Sequence, residues 1–522
     1  MSPLYAHPAV RDRLIEFLGG GSLDRATAIY LTHTDGYNFD RARLRRPDEL
    51  DRLLNAGTDI ARSLADSESV LFHLDVDYVN FDSPVQAYLD PDRTFALQEP
   101  VAQTVEALLL GWGIRPLHLI TGQGHHFIWS IARTSPSADL LDALGPAPEL
   151  LDACEQRVPP THRKSIDLRA HGVFAATALV MEYLAHRIKA AAAPVTEIPV
   201  EITAVHVGPT ATGRREIISV DISEYGDPLH TRSLRMPFTR YCKPSFLGLT
   251  QRVDSAPGLP TIYSLPLHEI DSRQAVKFRT VDAEVCALAQ RASVRIPIQE
   301  AGTARLLHDY LTSALRRFHL HYYAEHHDAA GRWAQTYDRT PLEPLPACVR
   351  HLATWPNDLL LKPAGMQLTT RCLLAAGWHP RHIAGFIRSK FENPAYHWGV
   401  DWSNYAPSLR ADFYTRLFAG QIAVGLDQLG DLNCTSNRAK GFCFPPAHGT
   451  CDLEPCRQSL LAPSLPRIRL GPSVCPPVAF TGAAFSPCWN PSARAGSTRS
   501  RSAPFPPTST TTTRARSAGP AS

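Results

Sequence analysis

The 522-residue sequence predicts an α+β core, followed by a mostly helical C-terminal domain and a disordered tail. Three observations predict this. Strand and helix patterns alternate from residue 69 to 223, helical periodicity dominates beyond residue 300, and after about residue 460 the composition becomes Pro, Ser, Thr, Ala and Arg, which cannot bury a core. At about 150 residues per domain the length implies two or three domains. The boundaries read from composition and pattern are 1–245, 246–335, 336–458 and 459–522.

Residues 10–65 read mostly as helices and loops, and the Arg-rich patch of Arg41, Arg43, Arg45 and Arg46 reads as a solvated helical face. Residues 69–77 (SVLFHLDVD) are apolar through Leu74 and then alternate, the pattern of a core strand. Residues 95–111 predict a helix. In residues 116–131 (PLHLITGQGHHFIWSI) two apolar runs are broken by Gly122-Gln123-Gly124, which predicts a strand pair joined by a tight turn. A buried helix is expected over 172–193 and another strand over 216–223 (EIISVDIS). Between 246 and 330 strand signals are few. There Leu306, Leu307, Tyr310, Leu311 and Leu315 predict one amphipathic helix over 303–318. Residues 340–456 read as helical and end in a cysteine cluster.

Charge is nearly balanced, 53 Lys and Arg against 50 Asp and Glu, but residues 457–522 hold eight Arg and no acid. Residues 1–456 therefore carry 45 basic and 50 acidic groups, a net of −5. This excludes a uniformly basic body and leaves local clusters to hold any anionic partner. The longest apolar stretch, residues 172–185, is interrupted by Glu182 and falls short of the ~18 residues that a membrane span needs. The first twenty residues lack the pattern of a secretory signal, so a cytoplasmic protein without a membrane partner is expected. Eleven cysteines, an odd number, point to free thiols or metal ligands rather than a disulfide framework.

Three short motifs carry chemistry. On a strand, Asp75 and Asp77 project from one face about 7 Å apart, with Val76 directed into the core. Paired carboxylates of this kind suit Mg2+ or Mn2+. Asp90-Pro91-Asp92 repeats the spacing, but proline places it in a loop. In Thr121-Gly122-Gln123-Gly124-His125-His126, glycines permit close backbone approach to an anion, and an imidazole at the start of the next strand is placed to donate to a phosphate. Finally, Asp221 ends an apolar strand and is followed by Arg232, Arg235 and Lys243, an arginine pair able to grip a phosphate beside a carboxylate.

The ordered combination of strand Asp-x-Asp, Gly-x-Gly-x-His turn and strand Asp, with Arg 11 and 14 residues later, resembles the catalytic core of the archaeo-eukaryotic primase superfamily, which includes the primase-polymerases. The resemblance covers roughly residues 1–245. It implies an RNA-recognition-motif-like fold in which Asp75, Asp77 and Asp221 hold two Mg2+ or Mn2+ ions. Gly124 and His126 would bind the incoming nucleotide, and Arg232 and Arg235 would offset its phosphate charge. Gly124 stands where the family often has Ser, which removes one hydroxyl contact. The implied activity is template-directed primer synthesis on single-stranded DNA from nucleoside triphosphates, with release of pyrophosphate. The phosphate loop of a helicase is absent from the sequence, so a separate helicase is an expected partner.

Cys434, Cys443, Cys451 and Cys456, with Cys348 upstream in LPAC, are spaced too loosely for common zinc fingers. More faintly, this region resembles the iron-sulfur domain of the primase large subunit, with Arg371, the turn 375–378 and residues 396–405 in place of its aromatic-rich helical stretch. That resemblance implies Cys348, Cys434 and Cys443 as ligands of a 4Fe-4S cluster, with Cys451 or Cys456 as the fourth; zinc or unligated thiols are the alternatives. Three rival functions have weaker support. A rolling-circle nickase needs histidines two apart on one strand face, whereas His125 and His126 are adjacent. A glycosyltransferase leaves Asp221 and the arginines unexplained. An inactive nucleic-acid-binding module has no physical need to keep three mutually repelling carboxylates together.

Overall fold

Among the described residues nine strands form two sheets. The strands are β1 (Leu31–Thr34), β2 (Asp59–Ser63), β3 (Ser69–Asn80), β4 (Leu117–Ile120), β5 (Gly124–Ala132), β6 (Val200–Ile202), β7 (Glu216–Asp221), β8 (Ser233–Arg235) and β9 (Leu265–Pro266). A computed structural model describes residues 3–34, 44–145, 166–246, 259–354, 359–393, 406–446 and 451–462, with positions 151, 356, 357 and 398. All of these belong to one compact unit, Met1–Ser473. Arg41, Arg43, residues 399–405 and the expected tail beyond residue 462 lie outside the described residues.

The larger sheet has the order β6-β7-β3-β5-β4-β9 and is antiparallel except for the parallel β6–β7 pair. Its longest strand, β3, lies between β5 and β7. Phe72, Leu74 and Val76 on one face of β3 are fully buried, in line with Trp129 and Phe127 on β5 and with Val220 and Ile218 on β7. Phe72 stacks on Trp129 with ring centroids 5.1 Å apart. Each of these side chains contributes about 1.5–3 kcal/mol of transfer free energy, and together they form the core face of the sheet. The opposite face of β3 carries His73, Asp75 and Asp77.

Helices α1 (Pro91–Gly111) and α2 (Leu168–Ala192) pack on this sheet. The start of α1 corrects an expectation. Asp90-Pro91-Asp92 is not a loop: the Asp90 carboxylate accepts from the Arg93 amide, Pro91 takes the first helical position, where no N–H is needed, and Asp92 lies in the first turn. Residues 10–65 also depart from the helices and loops expected, because β1 and β2 lie there and pair with β8 in a three-stranded antiparallel sheet. Their sequences, LTHT and DIARS, are short and mix polar with apolar residues, so no alternation marks them.

The single helix expected over 303–318 is two, α3 (Glu300–Thr312) and α4 (Ala314–Ala324). Ser313 divides them: its hydroxyl donates to the Tyr310 carbonyl and accepts from the Arg316 amide, capping α4. The C-terminal region is helical, as expected, with α5 (Ala347–Thr354), α6 (Pro363–Ala375), α7 (Pro380–Glu392), α8 (Pro407–Ala423), α9 (Cys434–Ala439) and α10 (Glu454–Leu461). No described helix is long and apolar enough to cross a membrane.

The core and the C-terminal helices are joined by buried charge. Glu182 on α2 accepts from Arg416 Nε on α8 at 3.0 Å and lies 3.2 Å from His319 Nε2 on α4, all three being buried. Burial alone would raise the Glu182 carboxyl, but the charges of His319 and Arg416 outweigh it and hold it at about 2. Arg416 is permanently charged, so the carboxylate stays ionised whether or not His319 carries a proton. Replacing Glu182 with Ala removes the carboxylate that Arg416 Nε meets and leaves the buried guanidinium with Tyr323 and, at 3.6 Å, Asp412. The Glu182→Ala protein is expected to lose about 3–5 kcal/mol of stability, read as a lower urea midpoint at pH 7.

Candidate active site

Antiparallel register assembles the site. On one side of β3, Asp75 is the direct partner of Asp221 on β7, and on the other it is the partner of His126 on β5. Register partners share a face with Cβ atoms about 5 Å apart, so the two carboxylates and the imidazole converge although they come from three distant segments. Asp77, two residues along, faces Gly124 on β5 and Ser219 on β7. The strand thus brings together Asp75, Asp77, Asp221, Gly124 and His126.

Electrostatics bear the mark of this crowding. Asp75 and Asp77 are each pushed up to about 7, first by burial and then by neighbouring carboxylates, Asp221 and Glu224 for Asp75 and Asp75 for Asp77. One quarter of the Asp75 side chain remains open to solvent, so it is not sealed in the core. The Asp221 carboxylate accepts from the Ser223 amide at 2.8 Å, which fixes its turn. His126 Nε2 lies 3.4 Å from Asp75 Oδ1, and burial followed by the charges of His73 and Arg235 drives its pKa well below the usual histidine range. His126 is therefore a neutral imidazole at pH 7. Its neighbour His125 points to the other face, where its Nδ1 meets His118 Nε2 at 2.9 Å and its ring meets Phe95 edge to face.

The turn before β5 is held from behind. A Cβ at position 122 would collide with the Tyr241 ring, and one at 124 with the Val76 carbonyl and the Asp77 carboxylate. Gly124 is thus required by the approach of Asp77, and a larger residue there would have to displace it. Buried Arg279 donates to the carbonyls of Thr121 at 2.5 Å and of Gly122 at 3.1 Å, with its guanidinium over the Phe95 ring. Burial depresses Arg279 to about 10.

The two arginines part company. On β8 and its approach they are three residues apart, which on extended backbone sends them to opposite faces. Arg235 lies on the carboxylate side, where its charge reaches Asp75, but its Nε is bonded to Asp59 Oδ1 at 3.0 Å and its guanidinium covers the Tyr241 ring. Arg232 instead ion-pairs with Asp227, which Arg410 of α8 also meets at 3.6 Å.

Two side chains at the site went unnoticed in the sequence. His73 Nδ1 lies 2.8–2.9 Å from both carboxylate oxygens of Glu224, and its ring meets that of His126 edge to face at 4.6 Å. Burial alone would lower His73, but Glu224 and the nearby aspartates raise it. The signal for His73 was available, since it stands two residues before Asp75 on the same strand face. Glu224 lies in a turn after β7 and carries no such signal.

In the C-terminal region Cys348, Cys434 and Cys451 are neighbours. Cys451 Sγ accepts from the Ala347 amide at 3.3 Å, Cys434 Sγ lies 3.9 Å from the Cys451 carbonyl, and burial followed by Cys451 pushes the Cys348 thiol up to about 12. Cys456 on α10 hydrogen-bonds to Cys372 on α6, which raises Cys372 and lowers Cys456. Cys443 lies in the segment after α9. Arg371 on α6 is bound by Asp427 and Asp431.

Among the described residues no group of three or more His, Cys, Asp or Glu side chains stands ready to hold a metal ion. The donor chemistry of the sheet site nevertheless fits a hard divalent cation: oxygen donors of Asp75, Asp77 and Asp221 share one face, and buried Asp75 Oδ1 has no hydrogen-bond donor. No protein-family model, curated protein or solved structure matches the chain.

The raised carboxylates make a signed prediction. Folded protein binds more protons than unfolded protein between about pH 4, where a free Asp titrates, and pH 7, so stability falls as pH rises through that window. In metal-free buffer Asp77→Asn is expected to raise the melting temperature by about 2 °C at pH 8 and to leave it unchanged near pH 4, as read by differential scanning fluorimetry.

Proposed function

We propose that this chain is a nucleotidyltransferase of the primase-polymerase type, which copies a single-stranded DNA template from nucleoside triphosphates. The observation that carries the proposal is the register of β3, which sets Asp75 opposite Asp221 on one side and His126 on the other. Two Mg2+ or Mn2+ ions bound by Asp75, Asp77 and Asp221 would supply activation of the primer 3′-hydroxyl and charge neutralisation of the triphosphate. His126, a neutral N–H donor beside the carboxylates, orients a phosphate oxygen without competing for a proton. Arg235, bonded to Asp59, adds positive potential where the triphosphate lies, and Lys243, which meets Gln123 in this structure, is the second cation near that position. Arg232, engaged by Asp227, supports the junction with α8 rather than the phosphates.

The nickase alternative is disfavoured, because His125 is committed to His118 on the reverse face and His73, the imidazole beside His126, is engaged by Glu224. In the C-terminal region Cys348, Cys434 and Cys443, with Cys451 or Cys456 as the fourth, are the proposed ligands of an iron-sulfur or zinc site, a reading supported by the proximity of Cys348, Cys434 and Cys451. A separate helicase is the proposed source of single-stranded template. Brown, iron-containing protein after anaerobic purification would support the cluster, and colourless, iron-free protein would exclude it.

The decisive assay supplies single-stranded DNA, Mn2+ or Mg2+ and labelled nucleotides. Wild-type protein is expected to make pyrophosphate-releasing products. Asp75→Asn and Asp221→Asn are expected to lose at least about 100-fold of that rate while keeping the far-UV dichroism of the wild type. Activity retained in either variant would refute the assignment.

A further inference from the structure

Gln123, at the tip of the turn between β4 and β5, has its amide held by three partners. Nε2 donates to Asp77 Oδ2 at 2.6 Å, while Oε1 accepts from Lys243 Nζ at 2.7 Å and from the Tyr88 hydroxyl at 2.8 Å. The orientation of the amide follows from its partners, since Lys243 can only donate and a carboxylate oxygen accepts. The other Asp77 oxygen, Oδ1, lies where a Cβ of residue 124 would stand. Both oxygens of Asp77 are therefore turned toward β5 and its turn, whereas Asp221 lies across β3 on β7. This explains why three carboxylates on one face do not stand ready as a ligand group.

We propose that Gln123 is a positioning residue that competes with the divalent cation for Asp77 and, through the same amide, holds Lys243 back from the nucleotide. The inference rests on the reading of Asp77 as a cation ligand. Because both oxygens of Asp77 face β5 and its turn, Asp77 could join Asp75 and Asp221 in holding a cation only if its carboxylate turned toward β7, which would weaken the contact with Nε2. The freed amide no longer has its position fixed by Asp77, and Lys243 then loses its contact with Oε1 as the triphosphate arrives. Cation entry and the supply of a phosphate-binding ammonium thereby become one event, with Gln123 as the link.

The test is direct binding of Mn2+ alone to the full chain, measured from the electron paramagnetic resonance signal of free Mn2+ at pH 8. Gln123→Ala and Gln123→Leu remove the donor, the second while keeping most of the volume, so it carries the test should the first lose its fold. Both are expected to bind Mn2+ about 3- to 10-fold more tightly than the wild type, the worth of one hydrogen bond, and Asp77→Asn more weakly. A side chain that merely supported the turn would weaken binding when removed. Unchanged or weaker binding in the Gln123 variants, with Asp77→Asn still weakened, overturns the competition and leaves Asp77 a ligand. Wild-type affinity that Asp77→Asn does not alter overturns the ligand reading itself, and the proposal with it.

Discussion

Asp75 stands between Asp221 and His126 because three strands pair in one register, and every other feature of the site depends on that alignment. Carboxylates side by side repel, so the alignment is not stabilised by the groups it gathers. It is enforced from the reverse face, where Phe72, Leu74, Val76, Phe127, Trp129, Ile218 and Val220 are all fully buried. A slip of one residue would turn this apolar row to the solvent and the aspartates into the core, at a cost far above the repulsion relieved. The carboxyls of Asp75 and Asp77 are raised first by burial and then by neighbouring carboxylates, a cost that the apolar face offsets.

Polar contacts buried behind the site fix the parts that the sheet alone would leave free. Arg279 holds the carbonyls of the glycine turn, and the bare Cα of Gly124 admits the Asp77 carboxylate. Farther out, Glu182 with Arg416 and His319, and Asp227 with Arg232 and Arg410, tie the sheet layer to α4 and α8. Such buried pairs add little net stability over apolar packing, but a mismatched arrangement would strand a charge, so they select one arrangement of the helices on the core.

Periodicity made β3, β5, β7, α1 and α2 legible, each within a few residues of its bounds, because a long segment with one buried face repeats its signal. It failed where segments were short or mixed: LTHT and DIARS were not recognised as β1 and β2, and Ser313 was not recognised as the cap that splits α3 from α4. The site followed the same division. Asp75, Asp77, Gly124, His126 and Asp221 were visible from their order and strand contexts. The separation of Arg232 from Arg235 was hidden, since three residues of β8 are too few to reveal the alternation that divides them. The contact of Cys372 with Cys456 was hidden too, because their wide spacing in the chain follows no ligand motif.

Local alternation in the sequence determined by itself that Asp75 and Asp77 share a face, that Val76 turns inward and that a glycine turn precedes His126. Only the tertiary structure decided that Asp221 lies beside Asp75, that Gln123 occupies Asp77 and that Asp227 takes Arg232. The reason is physical. The direction of a side chain from a strand follows from the geometry of that one segment, whereas its partner depends on which distant segments the burial of apolar faces brings alongside, and no local pattern encodes that choice.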